Sequence, residues 1–134
     1  MTKMTEIKGI KPKCIELLSA AGIETLDKFL EVAGPAKGRD ELAKKTGIKK
    51  EWLLEWANHA DLFRIKGVGS EYADLLEAAG VDSCPELANR KATNLAKKIE
   101  ELNVDLKLVK RTPTEAMVED WISQSKALPK VVTH

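Results

Sequence analysis

The stretch GVGS at residues 67–70 is the part of this sequence best suited to chemistry. Its two glycines allow a sharp turn and let a ligand approach the main chain closely. A helix predicted to begin at Ser70 would direct its first N–H groups, those of Gly69, Ser70 and Glu71, at that ligand, because the first amides of a helix have no partner within it. Unpaired donors and the helix dipole both favour a phosphate oxygen. The chemistry indicated is therefore phosphate binding.

Nearly the same stretch occurs 58 residues earlier with different chemistry. IKGVGSEYADLLEAAG at residues 65–80 matches IKGIKPKCIELLSAAG at residues 7–22. At the turn itself, the earlier copy has KPK at residues 11–13 where the later copy has GSE at residues 69–71. One copy keeps the shape of a phosphate-binding turn, and the other keeps the positive charge.

We call these turns the first hairpin (residues 8–13) and the second hairpin (residues 66–71), and we predict that they carry any contact to phosphate. Glu71 would repel a phosphate, and the side chain of Lys11 would hinder close approach to the backbone. The densest basic stretch of the second half, KLVKR at residues 107–111, ranks next, because loops often carry function. The candidate residues are Lys66, Gly67, Val68, Gly69 and Ser70 in the second hairpin, Lys8, Gly9, Lys11 and Lys13 in the first hairpin, and Lys107, Lys110 and Arg111 in the basic loop.

The second hairpin and its flanking segments resemble the helix-hairpin-helix motif. This resemblance implies that a helix over residues 58–65 is the first arm, that a helix over 70–79 is the second, and that Val68 plugs into the core. It also implies a sequence-independent contact to the nucleic-acid backbone. The longer pattern GVGSEYADLLEAAGVDSCPELANR, LAKKIEELN and VEDWISQSK is similar to a family of small uncharacterised bacterial proteins built from tandem units of this motif. That similarity implies a fold and no activity.

The residues that begin and end helices along the chain predict an all-α fold. It consists of two pseudo-repeated helix-hairpin-helix units made of short helices, a SAM-like architecture. Gly22 and Gly80 are predicted to end the helices that follow the hairpins. Ser83 is predicted to cap the next helix, with Glu86 reaching back to complete a capping box. Thr112 is predicted to cap the last helix, with Pro113 at its first position. The predicted helices are 12–21, 39–46, 49–60, 70–79, 92–103 and 113–126, with two more beginning near 25 and 83.

The predicted units are residues 1–60 and 61–128, packed as one domain and followed by a tail at 129–134. Trp52 and Trp56, four residues apart on one predicted helix, are expected to be core anchors, the alternative being an exposed patch for a partner or a base. Residues 1–66 carry 13 Lys and Arg against 10 Asp and Glu, and residues 67–134 carry 9 against 11. This balance argues against tight binding to nucleic acid by charge alone.

Enzyme motifs are absent from the sequence: it has no nucleophile elbow, no Walker-type phosphate loop and no HExxH. We therefore predict a non-enzymatic protein without a cofactor or a metal. Cys14 and Cys84 are expected to be buried thiols in a reducing cytoplasm, because two cysteines are too few for a disulfide framework. No apolar run approaches the roughly 18 residues of a membrane span, and the N-terminus has no apolar signal region, so no membrane association is predicted.

Two functions are consistent with these features. The first is weak, sequence-independent binding to a DNA or RNA backbone through the hairpins. The alternative is a protein-interaction or scaffolding module, with a protein partner or self-association, in which the hairpins serve only for packing.

Overall fold

The computed structural model describes residues 3–7 and 9–133, and over these residues it consists of helices joined by turns and loops. Within these described ranges, a 3-10 helix at Met4–Glu6 precedes eight α-helices. The helices are α1 Pro12–Ala20, α2 Leu26–Ala33, α3 Ala36–Thr46, α4 Lys50–Leu62, α5 Ser70–Ala78, α6 Cys84–Ala88, α7 Ala92–Leu106 and α8 Glu115–Ala127. Over the described ranges, extended pairing is limited to one isolated bridge between Lys3 and Thr25. The predicted all-α fold class is confirmed.

The chain divides into two compact units. Unit 1 comprises Met1–Asp61 and Val131–His134, and unit 2 comprises Leu62–Lys130. Unit 1 is therefore discontinuous in sequence, since the chain passes through unit 2 before it returns at Val131. The packing of both halves as one domain stays a prediction.

The turns before α1 and α5 contain the same hydrogen bonds, displaced by 58 residues. The Ile10 N–H donates to the Ile7 carbonyl, and the Val68 N–H donates to the Ile65 carbonyl, both at 3.2 Å. The helices that follow are nine residues long in both units. The sequence match thus has a local structural counterpart, while its interpretation as an internal repeat stays a prediction.

Both of these helices end at a glycine with a positive φ, +86° at Gly22 and +91° at Gly80. The Ile23 N–H reaches back to the Leu18 carbonyl, and the Val81 N–H reaches back to the Leu76 carbonyl, each at 2.9 Å. These are the hydrogen bonds of a Schellman motif, in which the left-handed position favours glycine. The predicted glycine stops are confirmed.

The next helix in each unit begins with a hydroxyl cap. The Thr25 hydroxyl accepts from the Lys28 N–H at 3.2 Å, and the Ser83 hydroxyl accepts from the Glu86 N–H at 3.5 Å. The predicted return contact of Glu86 is wrong. Its carboxylate instead accepts two hydrogen bonds from Arg90, one turn later, at 3.0 and 3.1 Å, because residues four apart on a helix face each other.

Some predicted helix ends differ from the structure. The arm predicted over 58–65 ends at Leu62, where α4 gives way to the turn of the second hairpin. The last helix does not begin at Pro113, which is buried outside it. Thr114 caps α8 in place of Thr112, and its hydroxyl accepts from the Met117 N–H at 3.1 Å. Both threonines carry the same capping group, so local sequence did not separate them.

Each unit has its own apolar core. Unit 1 buries Leu18, Phe29 and Leu53 completely. In unit 2 one cluster joins residues from every helix of that unit; its members with the least exposure are Leu62, Ala73, Leu76, Val81, Leu87, Ile99 and Val118. Cys14 and Cys84 are buried and form no disulfide, as predicted. No helix among the described residues is both long enough and apolar enough to cross a membrane.

The assignment of the α8 cap can be tested by a pair of substitutions. We expect Thr114→Ala to lower the free energy of unfolding by about 0.5–2 kcal/mol, because it leaves the Met117 N–H without its side-chain acceptor. Thr112→Ala is the matched control and should change stability by less than about 0.5 kcal/mol. Chemical denaturation followed by circular dichroism measures both. A larger loss for Thr112→Ala would contradict the assignment.

Candidate nucleic-acid interface

The second hairpin is held to its unit by a side chain 58 residues away. The Gln124 amide accepts from the Lys66 N–H at 2.9 Å and donates to the Lys66 carbonyl at 3.1 Å. Val68 is 5% exposed, so its side chain is part of the core, as the resemblance implied. The side chain of Lys66 is exposed, whereas the polar main-chain atoms of Lys66 already have partners.

The two glycines of this hairpin have different roles. Gly67 has a φ of +98°, and a Cβ at this position would lie 3.1 Å from Nε1 of Trp121. Gly67 therefore serves the turn and the packing of a buried indole. Gly69 has a φ of −98°, and a Cβ there would meet no atom within 4 Å. The open space required for a ligand lies at Gly69.

The N-terminus of α5 carries amides without a side-chain cap. Gly69 is the N-cap, and the first hydrogen bond of the helix runs from the Ala73 N–H to the Gly69 carbonyl at 2.9 Å. The N–H groups of Ser70, Glu71 and Tyr72 precede that bond, as the first amides of any helix do. Glu71 is exposed in this first turn, where its carboxylate is attracted to the same end of the helix dipole as a phosphate would be.

The basic loop is fixed in position by two polar side chains. The Asn103 amide donates to the Val109 carbonyl at 2.9 Å and accepts from the Val109 N–H at 3.1 Å. The Tyr72 hydroxyl donates to the Arg111 carbonyl at 3.1 Å. Since Tyr72 belongs to the first turn of α5, the loop lies beside the second hairpin. The side chains of its predicted site residues, Lys107, Lys110 and Arg111, are all exposed.

The first hairpin belongs to unit 1 and has a different first turn. Lys8 lies outside the described residues, while Gly9, Lys11 and Lys13 are exposed. Lys11 is the N-cap of α1, Pro12 has no N–H, and the Cys14 N–H donates to the Lys11 carbonyl at 2.9 Å. This turn therefore offers fewer free amides than the first turn of α5, although it carries more positive charge.

The tryptophans divide between core and surface. Trp56 and Trp121 are 6% and 2% exposed, as expected of core anchors. The expectation is wrong for Trp52, which is 40% exposed and has the Lys49 ammonium 5.2 Å from its ring centroid. Its ring centroid lies 6.4 Å from that of Trp56, so it packs at the edge of the core.

Sequence reasoning missed the residues that position this interface, namely Gln124, Asn103, Tyr72 and the contact of Trp121 with Gly67. Gln124 and Tyr72 each bond a main-chain group 39 or more residues away. A contact over such a separation leaves no periodic signal in the local sequence. Asn103 lies six residues before Val109, so its contact is the most local of these in sequence.

One of three comparisons with known proteins gave a match. A family model described as "Domain of unknown function (DUF4332)" matches residues 8–128, which is all but the two ends of the chain. Searches of the curated proteins and of the solved structures found no match.

The different roles of the two glycines can be separated by substitution. We expect Gly67→Ala to lower the free energy of unfolding by about 1–3 kcal/mol, because the new Cβ combines an unfavourable φ with a close contact to Trp121. Gly69→Ser should change stability by no more than about 0.5 kcal/mol or raise it, since serine is a favoured N-cap residue. Urea denaturation of both variants measures the difference. Equal losses would contradict the division of roles.

Proposed function

We propose that this chain, which belongs to the family described as a domain of unknown function (DUF4332), is a non-enzymatic cytoplasmic protein that binds nucleic-acid backbone weakly through unit 2. The interface consists of the second hairpin and the basic loop. The main-chain N–H groups at the start of α5 bind the phosphate, and the side chains of Lys107, Lys110 and Arg111 assist them.

One observation carries this proposal: the Tyr72–Arg111 hydrogen bond links three exposed cations to an uncapped helix N-terminus. Either feature alone is common on protein surfaces. Together they combine fixed main-chain N–H donors with positive charge on long side chains. A phosphodiester backbone accepts hydrogen bonds from such donors and is attracted by such charge. None of these groups reads a base edge, so the binding is independent of sequence.

The proposed affinity for phosphate is low because Glu71 lies in the first turn of α5, beside the amides that would bind it. Its carboxylate stabilises the free helix N-terminus and must move aside when a phosphate approaches. Unit 2 also carries no excess of positive charge in its half of the sequence. Weak binding that disappears at moderate salt is the expected behaviour.

A second candidate function is protein interaction, with the hairpin as a packing element. It is favoured by the contacts of Gly67 with Trp121 and of Lys66 with Gln124, which explain the hairpin without a ligand. Val104 and Leu106, at the end of α7, are 69% and 48% exposed and could meet an apolar partner surface. A monomer in light scattering that captures no protein from lysate would count against this candidate.

The salt dependence of binding tests the first candidate. We expect a short DNA duplex to bind at low salt, with a logarithmic slope of about −0.9 for each phosphate neutralised. Arg111→Ala should make that slope shallower by about one such step, measured by fluorescence anisotropy. Lys28→Ala removes a charge from unit 1 and is the control. Absence of binding to any single- or double-stranded DNA or RNA at low salt would overturn the proposal.

Charge reversal at the hairpin gives an independent test. Glu71→Lys should strengthen binding several-fold, because it removes the competing carboxylate and adds a cation at the start of α5. Asp82→Lys makes the same charge change beyond the other end of this helix, whose nine residues span about 14 Å at 1.5 Å per residue. At the low salt at which binding is measured, screening is weak, so Asp82→Lys should also strengthen binding, but by less than Glu71→Lys because its charge lies farther from the phosphate. Equal gains from both variants would show a general charge effect and no site.

A further inference from the structure

The segment Val131–Thr133, here called the strap, binds the turn between α2 and α3 in unit 1. The Thr133 N–H donates to the Gly34 carbonyl at 2.9 Å, and the Thr133 hydroxyl accepts from the Ala36 N–H, also at 2.9 Å. The second bond caps α3, whose own N-cap, Pro35, supplies no side-chain acceptor. Val132 is 3% exposed. A short peptide segment thus satisfies main-chain groups and buries an apolar side chain at the same time.

Arg39 donates hydrogen bonds to the carbonyl groups around the strap. It is 5% exposed, and its guanidinium donates to the carbonyls of Ala33 and Gly34 and to that of Thr133. Burial lowers the pKa of Arg39, and the neighbouring Asp40 opposes that change. The first two carbonyls lie at the C-terminus of α2, the negative end of the helix dipole, which favours a cation there. The strap supplies the remaining acceptor.

Gly34 leaves room for the strap. Its φ is −62°, so its conformation does not require glycine. A Cβ at this position, however, would lie 2.5 Å from the Leu30 carbonyl oxygen of α2, 2.6 Å from the Val131 carbonyl oxygen and 2.9 Å from a methyl group of Val131. The absence of a side chain at Gly34 therefore permits a close approach by the peptide.

We infer that Gly34, Ala36 and Arg39 form a recognition site for a peptide in which an apolar residue is followed by threonine or serine, and that the strap occupies this site in cis. Each element of the ligand has its own partner. The apolar side chain is buried, the next hydroxyl caps α3, and the main-chain N–H and carbonyl of that residue meet Gly34 and Arg39. A partner protein bearing such a peptide binds when the strap is released.

The strap can be displaced because the two residues that connect it to the end of α8 are not held in place by burial. Pro129 and Lys130, which join it to the end of α8, are both exposed. Occupancy in cis lowers the apparent affinity for any external peptide, because the intrinsic affinity is multiplied by the fraction of molecules in which the site is free. Releasing the strap should therefore raise that affinity. This inference uses no residue of the second hairpin or the basic loop, so it stands or falls independently of nucleic-acid binding.

A peptide with the sequence of the strap is the direct probe. We use the full chain and a fluorescein-labelled peptide, LPKVVTH, corresponding to residues 128–134. Val132→Asp places a carboxylate in a buried position and releases the strap. It should bind the peptide about ten-fold or more tightly than the wild-type chain does in an anisotropy titration. Ala116→Asp introduces the same carboxylate at an exposed position of α8 and should bind like the wild type.

Recognition is tested by changes on each side of the contact. Replacing threonine by valine in the peptide should weaken binding to the Val132→Asp chain about two- to ten-fold, the effect of one hydrogen bond. Arg39→Lys in the same background should also weaken it, since lysine cannot present donors to several carbonyls in one plane. If Val132→Asp disturbs the fold, Thr133→Val takes its place, because it removes only the cap to Ala36. We expect Thr133→Val to bind the labelled peptide more tightly than the wild type does, by a smaller factor than is expected for Val132→Asp. Absence of binding to any folded variant at millimolar peptide, or equal binding to released and wild-type chains, would overturn the inference.

Discussion

The contact between the Trp121 indole and the main chain at Gly67 is the constraint on which the surface of unit 2 depends. The indole fills the space beside a residue that has no side chain, and this fixes the path of the hairpin turn. The same ring packs against Tyr72, with centroids 5.3 Å apart, and the Tyr72 hydroxyl in turn holds Arg111. One buried aromatic residue therefore supports both the hairpin and the basic loop. A rigid, pre-formed surface binds with a smaller entropic cost than a mobile one does.

The division between shape and charge in the two hairpins has a structural basis. Gly69 leaves space above the start of α5, and the amides there have no side-chain cap, but Glu71 lies among them. In the first hairpin, Lys11 and Lys13 supply charge, while Pro12 and the Cys14–Lys11 hydrogen bond reduce the number of available donors. In unit 2 the Tyr72–Arg111 hydrogen bond holds a second basic element beside the turn. For this reason the proposed interface is one hairpin with its loop and not the pair of hairpins.

Local signals in the sequence were sufficient for much of the fold. The ends of α1 and α5 at Gly22 and Gly80, and the cap at Ser83, follow from the few residues around them, so they could be predicted. The start of α8 could not, because Thr112 and Thr114 offer the same hydroxyl and only packing around Pro113 separates them. The exposure of Trp52 next to the buried Trp56 also depends on which face of α4 meets the core. Contacts such as Gln124 with Lys66 depend on the complete fold and were beyond the reach of pattern analysis.

The return of the chain to unit 1 at Val131 has a consequence for how this protein is made. The cap of α3 and one acceptor for the buried Arg39 are encoded after the whole of unit 2, about 70 residues later than Asp61. At a synthesis rate of about 5–20 residues per second, unit 1 waits roughly 4–14 s on the ribosome for these groups. During that interval its α2–α3 turn is complete in every part except the strap. In the nascent N-terminal half, the peptide site is therefore formed before the strap that occupies it in cis has been synthesised.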